Sequence, residues 1–255
     1  MRFITALIVT IALNCLPAWA AVAEPQPDSC DVPASLLESE IDLSRATAEM
    51  KEKHRLDISV LGTGSSAIPG PDGAHFAYPA QLEDALKRQL SGSEIKVTAH
   101  IQPKQTTANM LGSLEKILAD DKPSLVIWQA GTADAINAVE TEDFRASLEG
   151  GVDKMQTAGA DVILMNMQYS PRTAAMLDVS AYADVMRHVA QQQNALLFDR
   201  LAIMQYWNDI GTFDLYAATK KYDMARRVHE CIGRALASQI INAAHLDALR
   251  MQTTR

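Results

Sequence analysis

Glycine and proline are sparse in this chain, 12 and 10 in 255 residues, which excludes collagen-like, low-complexity and wholly disordered readings. Basic residues are in deficit as well. Lys and Arg number 23 against 31 Asp and Glu, a formal charge of −8, opposite to what a surface that tracks phosphates requires. Nucleic acid is therefore not an expected partner, and a neutral or cationic one fits better. The apolar run from Phe3 to Leu16 is too short to span a bilayer and stay there, so no stable membrane insertion is expected. What is abundant is apolar sequence, 48% of residues, enough for a packed core that needs neither a metal nor a dense disulfide framework.

Residues 1–20 read as a signal peptide. Arg2 supplies a short positive region, the apolar run follows, and Ala18-Trp19-Ala20 offers an A-x-A cleavage site. Asn14 before Cys15 departs from the small-residue pattern of a lipid-anchored leader. The expected mature chain is exported, periplasmic or secreted. Of the three cysteines, Cys15 leaves with the leader; Cys30 and Cys231 then form an even pair in an oxidising compartment and are expected to be bonded. The alternative is two unpaired thiols, one buried in a C-terminal helix.

Residues 21–54 read as an N-terminal extension in which 34–53 form one amphipathic helix. From residue 55 to 245 short apolar runs alternate with segments of helical period. The runs are Leu56 to Leu61, Ile95 to Ile101, Leu125 to Gln129, Val162 to Met167 and Ala195 to Phe198; the helical segments are about 77–90, 106–119, 141–158 and 174–192. Near-continuous apolar strands imply burial on both faces, so the expected architecture is an α/β fold, a three-layer α/β/α sandwich with a parallel five-stranded sheet. A last helix spans Met224 to Ala243 with Asp223 as its N-cap. In such sheets ligands sit beyond the carboxyl ends of the strands, which directs attention to the loops after Leu61, Ile101, Gln129 and Met167.

The first of these loops reads Gly62-Thr63-Gly64-Ser65-Ser66-Ala67-Ile68-Pro69-Gly70, a turn with two hydroxyls where a strand-end nucleophile would sit. It lacks the spacing of a dinucleotide fingerprint or a P-loop. This turn, the loop Gly131-Thr132-Ala133-Asp134 after the third strand, and a final helix preceded by a polar turn together resemble the SGNH (GDSL-like) hydrolase family, of which the chain looks like a divergent member. The resemblance covers residues from about 55 to 243. It implies a flavodoxin-like fold and cleavage of acyl esters by a Ser nucleophile, a His base and an Asp in a D-x-x-H motif. Matching Gly64-Ser65-Ser66 to the family's Gly-Asp-Ser makes Ser66 the nucleophile, whereas placing Gly62-Thr63-Gly64 there leaves none. Phe76-Ala77-Tyr78-Pro79-Ala80-Gln81-Leu82 looks like the start of the family's first helix.

Three motifs depart from the pattern. The loop Gln102-Pro103-Lys104-Gln105-Thr106 has no oxyanion-hole Gly, and Ala133 stands in place of the Asn of G-x-N-D, which implies loss of a donor worth on the order of 3 kcal/mol in the transition state. Gln129, Asn137 and Gln168 are nearby candidates to replace it. Aligning the final helix on Cys231 to Leu236 puts Asp223 at the family's His and Lys220 at its Asp; Asp223 is then either a weak base or only a helix cap. His229 and His75 are the other candidate bases, with a packed structural role and a surface-loop position as the plainer readings. His54, His100, His188 and His245 show no metal-ligand spacing, so no metal or other cofactor is implied. Trp128, Trp207, Tyr169 and Tyr206 suit either a cleft or the core. Two functions follow: an exported serine esterase acting on an acyl ester of a carbohydrate or lipid, or a pseudo-hydrolase that uses the cleft to bind a glycan, lipid or protein.

Overall fold

The computed structural model describes residues 30–216 and 222–250. The five apolar runs become five strands, β1 (Arg55–Gly62), β2 (Glu94–Ile101), β3 (Leu125–Gln129), β4 (Asp161–Met165) and β5 (Leu196–Phe198). All neighbouring pairs are parallel and the order is β2-β1-β3-β4-β5, the flavodoxin-like arrangement. The helices are α1 (Ser44–Lys53), α2 (Gly73–Phe76), α3 (Tyr78–Gln89), α4 (Thr107–Asp121), α5 (Thr132–Ile136), α6 (Thr141–Thr157), α7 (Pro171–Ala174), α8 (Ser180–Gln192), α9 (Arg200–Asp209), α10 (Asp223–Ala243) and α11 (Asp247–Arg250).

Alternation along each strand divides the core in two. Leu56, Ile58 and Val60 of β1 and Leu125 and Ile127 of β3 pack with Met50 of α1, Leu86 of α3 and Leu236 of α10. Leu61, Val126, Trp128 and Leu164 point the other way, against Leu114 of α4, Leu148 of α6 and Met186 of α8. Both faces being covered is why the strands carry so little polar sequence. Trp128 and Trp207 are core residues, and Tyr169 and Tyr206 pack partly buried against the first cluster.

The extension differs from a single helix over 34–53. A short 3-10 turn, Ala34–Leu36, is separated from α1 by a stretch whose backbone is claimed by other partners: Ile41 N–H donates to the Ser39 hydroxyl, and Leu43 N–H to the Ala243 carbonyl. The start of α1 is capped from across the sheet. Asp161 Oδ2, at the head of β4, accepts from the Arg45 and Ala46 amides at 2.9 and 3.0 Å, and burial raises its pKa against the pull of those bonds. Cys30 and Cys231 are joined by a disulfide, and Trp207 Nε1 donates to the Asp31 carbonyl, so the extension is tied to α10 and α9.

Three further boundaries move. The helix expected over 174–192 begins only at Ser180, where the Asp178 carboxylate accepts from the Ser180 amide and hydroxyl and starts a new turn. β4 ends at Met165 because the Asn166 side chain turns to Asp199 and the Leu201 amide. Asp223 is the first residue of α10, not its N-cap; Tyr222 occupies that position and gives no side-chain cap. The leader, residues 1–20, and Lys220 lie outside the described residues. Among those described, no helix is long and apolar enough to cross a membrane.

Candidate functional site

Where β1 ends, the chain makes a 3-10 turn over Gly64–Ser66, and its side chains divide between solvent and core. Gly64 is exposed, Ser65 half-buried, and Ser66 only 1% exposed. A Cβ on Gly62 would collide with Ser66 Oγ, so glycine at 62 is what allows the Ser66 side chain to fold inward. There it meets Tyr78 Oη at 3.1 Å and Gln129 Oε1 at 3.2 Å. Gln129, at the end of β3, is the hub of the turn: the same oxygen accepts from Thr63 N at 2.9 Å, Thr63 Oγ1 at 2.6 Å and Ser65 Oγ at 3.3 Å.

Behind this turn lie two further buried groups. Tyr78 begins α3, and its backbone N–H donates to His229 Nδ1 at 2.9 Å, which fixes the neutral imidazole with its proton on Nε2. Burial, helped by the nearby Arg200 charge, pushes the His229 pKa down to about 4. Arg200, first residue of α9, is fully buried and donates from Nη1 to the Ser65 carbonyl and from Nη2 to the Ser65 hydroxyl at 3.4 and 3.2 Å. Burial lowers its pKa to about 10, which leaves it charged at neutral pH. Tyr78 is held protonated: burial raises its pKa, outweighing the Ser66 hydrogen bond and the Arg200 charge.

The expected residues do not converge as a triad. His229 faces Tyr78 rather than Ser66, and Asp223 is exposed at the start of α10. Among the described residues neither a His nor a carboxylate hydrogen-bonds to the Ser66 hydroxyl, whose partners are Tyr78 and Gln129. Gly131 has φ +96° with the Met167 sulfur against it, Ala133 is buried, and Asp134 is spent on α4, accepting from Thr107 N and Oγ1 at 2.9 Å each. Asn137 turns back to the Ala133 carbonyl, and Gln168 is exposed after β4. Sequence reasoning missed Arg200, the first residue of α9, two positions after β5 ends.

His75 does share a space with Ser66. A cleft of about 530 Å³ beside the edge strand β2 is lined by both, with Val97 and Ile101 of β2 and with Pro79 and Asp84 of α3. It lies at the sheet edge rather than over the β1/β3 switch point where ligands of such sheets usually bind. His75 is exposed, its ring edge-on to Phe76, and its carbonyl is held by Gln81 Nε2. No group of three His, Cys, Asp or Glu among the described residues is placed to hold a metal.

A parallel 2-1-3-4-5 sheet whose first strand delivers a Gly/Ser turn into a polar pocket defines the class as an SGNH-like hydrolase fold. The chain belongs to the non-GDSL lipase-like family, whose model matches residues 29–246. It is 27% identical over 140 residues to the esterase TesA of Pseudomonas aeruginosa, a match covering 55% of this chain and 68% of that protein. The crystal structure of TesA is similar with a TM-score of 0.56 at 23% identity, over 71% of this chain and 98% of that one. Axe2, an acetylxylan esterase from Geobacillus stearothermophilus, superposes with a TM-score of 0.58 at 18% identity, over 72% and 94%. The last two likenesses establish the fold.

Proposed function

We propose that this chain uses the hydrolase fold and its cleft for binding an acyl ester or a related glycan or lipid, and that ester hydrolysis through Ser66 stays near background. The observation that carries the reading is the bonding of the Ser66 hydroxyl, buried between Tyr78 Oη and Gln129 Oε1. Neither partner takes a proton at neutral pH, and a Ser without a positioned base forgoes help worth roughly 10²–10⁴ in rate. The ligand class is carried over from the named activities of TesA and Axe2, an esterase and an acetylxylan esterase. An apolar floor from β2 facing a polar wall with Asp84 suits a ligand of mixed character. Export to the periplasm or medium belongs to the same reading, on the strength of the N-terminal leader pattern and a cysteine pair in disulfide.

A second reading, an exported serine esterase with Ser66 as nucleophile and His75 as base, is favoured by one observation: Ser66, His75 and Asp84 line the same cleft. The two are separated by assaying the purified protein on a short-chain aryl ester beside Ser66→Ala and His75→Gln. The binding reading predicts equal, background rates in all three. Robust turnover that disappears in both variants would replace it with the esterase.

A further inference from the structure

Arg200 is fully buried, yet among the described residues no carboxylate pairs with it. Its hydrogen bonds go to two neutral oxygens of a single residue, Ser65, and its Nε–H meets no acceptor among the described residues. The adjacent Asp199 is committed elsewhere: Oδ1 accepts from Asn166 Nδ2 and the Ala202 amide, and Oδ2 from Arg187. Gln129 shows the same imbalance. Four donors crowd its one carbonyl oxygen, which has two lone pairs, while its own Nε2 hydrogens find no acceptor. Around Ser65, donors therefore exceed acceptors, and a positive charge is buried among them. Such an arrangement is costly unless something negative completes it.

The way in is over Gly64. That residue is exposed, a Cβ built on it would touch nothing within 4 Å, and Ser65 beside it is half-buried. We propose that Ser65, backed by Arg200 and flanked by Gln129, is a binding site for a small oxyanion, the carboxylate, sulfate or phosphate group of a ligand reaching in over Gly64. On binding, the Ser65 hydroxyl turns its one hydrogen from Gln129 Oε1, which keeps three other donors, to the anion, while Arg200 Nη2 donates into the same hydroxyl oxygen from behind and supplies the compensating charge. The cleft beside β2 is lined by Ser66 and not by Ser65 or Arg200, so this site stands whether or not esters bind in that cleft.

The full chain is melted across titrations of phosphate, sulfate and acetate at constant ionic strength, with chloride as the balancing anion. The expected result is a saturable rise in Tm with at least one of the three. Saturation by acetate alone identifies the carboxylate of an organic ligand, and saturation by phosphate or sulfate a tetrahedral group. Arg200→Met removes an uncompensated buried charge at similar volume, so it is expected to fold and to lose the rise. Ser65→Ala, which keeps Arg200, is expected to weaken the apparent Kd roughly tenfold and serves if the first variant fails to fold. No saturable rise beyond chloride in the unaltered protein would overturn the proposal. So would an equal rise in the unaltered protein and the variants, the mark of salts excluded from the surface at large.

Discussion

Acid should loosen this protein through His229 before it does so through the carboxylates. The imidazole is 7% exposed, its Nδ1 accepts from the Tyr78 amide, and burial with the Arg200 charge holds its pKa at about 4 instead of 6.5. The native state thus favours the neutral ring. As pH falls below 6.5 the unfolded chain takes up a proton that the folded one refuses, so stability is complete above that value and is lost as pH drops toward 4. The whole displacement corresponds to about 3 kcal/mol, most of which is gone by pH 4.5. Urea unfolding at pH 7 and at pH 4.5, on the unaltered protein and on His229→Asn, measures it. The Asn amide oxygen still accepts from Tyr78 but does not titrate. Carboxylates act alike in both proteins; Asp121, for instance, is opposed by burial but held below its ordinary range by hydrogen bonds from Ser59 and His100. The variant should therefore lose less stability between the two pH values by about 2–3 kcal/mol. Equal losses in the two proteins would refute the reasoning.

Two further perturbations follow from the packing. A Cβ on Gly233 of α10 would sit 2.7 and 2.8 Å from Gln81 and the backbone of α3, so Gly233→Ala should destabilise by about 1–3 kcal/mol through forced separation of the two helices, read as a lower urea midpoint. The Cys30–Cys231 bond closes a loop 201 residues apart in sequence, and its loss in the Cys30→Ser, Cys231→Ser double variant should cost up to about 5 kcal/mol in the chain-entropy account. An unchanged midpoint in the oxidised comparison would contradict that value, and two titratable thiols in the denatured, unreduced protein would contradict the bond itself.

The fold was legible because β3, β4 and β5 are almost wholly apolar, because β1 and β2 keep Val, Ile and Leu between polar residues such as Asp57, Ser59, Lys96 and Thr98, and because each long helix keeps its period. The misplaced boundaries share a cause. Residues 37–43, 166 and 178 bond to partners distant in sequence or to short turns that override helical and strand periodicity. The candidate site was readable as a place but not as chemistry. Sequence put Ser66 at the strand-end turn, yet the inward direction of its hydroxyl depends on the bare Gly62 and on Tyr78 from the next helix. His229 is buried on α10 with its Nδ1 accepting from the Tyr78 amide, a long-range partner that spacing along the helix does not reveal. Arg200 gave no warning: an Asp-Arg pair after a strand reads as a surface ion pair, and here the two side chains part, Asp199 toward Arg187 and Arg200 toward Ser65.

The Ser66 hydroxyl is bonded to Tyr78 Oη and Gln129 Oε1 within the buried turn, and the proposed function requires that it not act as a nucleophile. A fluorophosphonate, which forms a covalent phosphonyl ester only with an activated serine, tests it without any assumption about the natural ligand. After prolonged exposure of the folded full chain, peptide mass spectrometry should find Ser66 unmodified and the intact mass unchanged. A stoichiometric adduct on Ser66, absent after denaturation before labelling, would contradict the account.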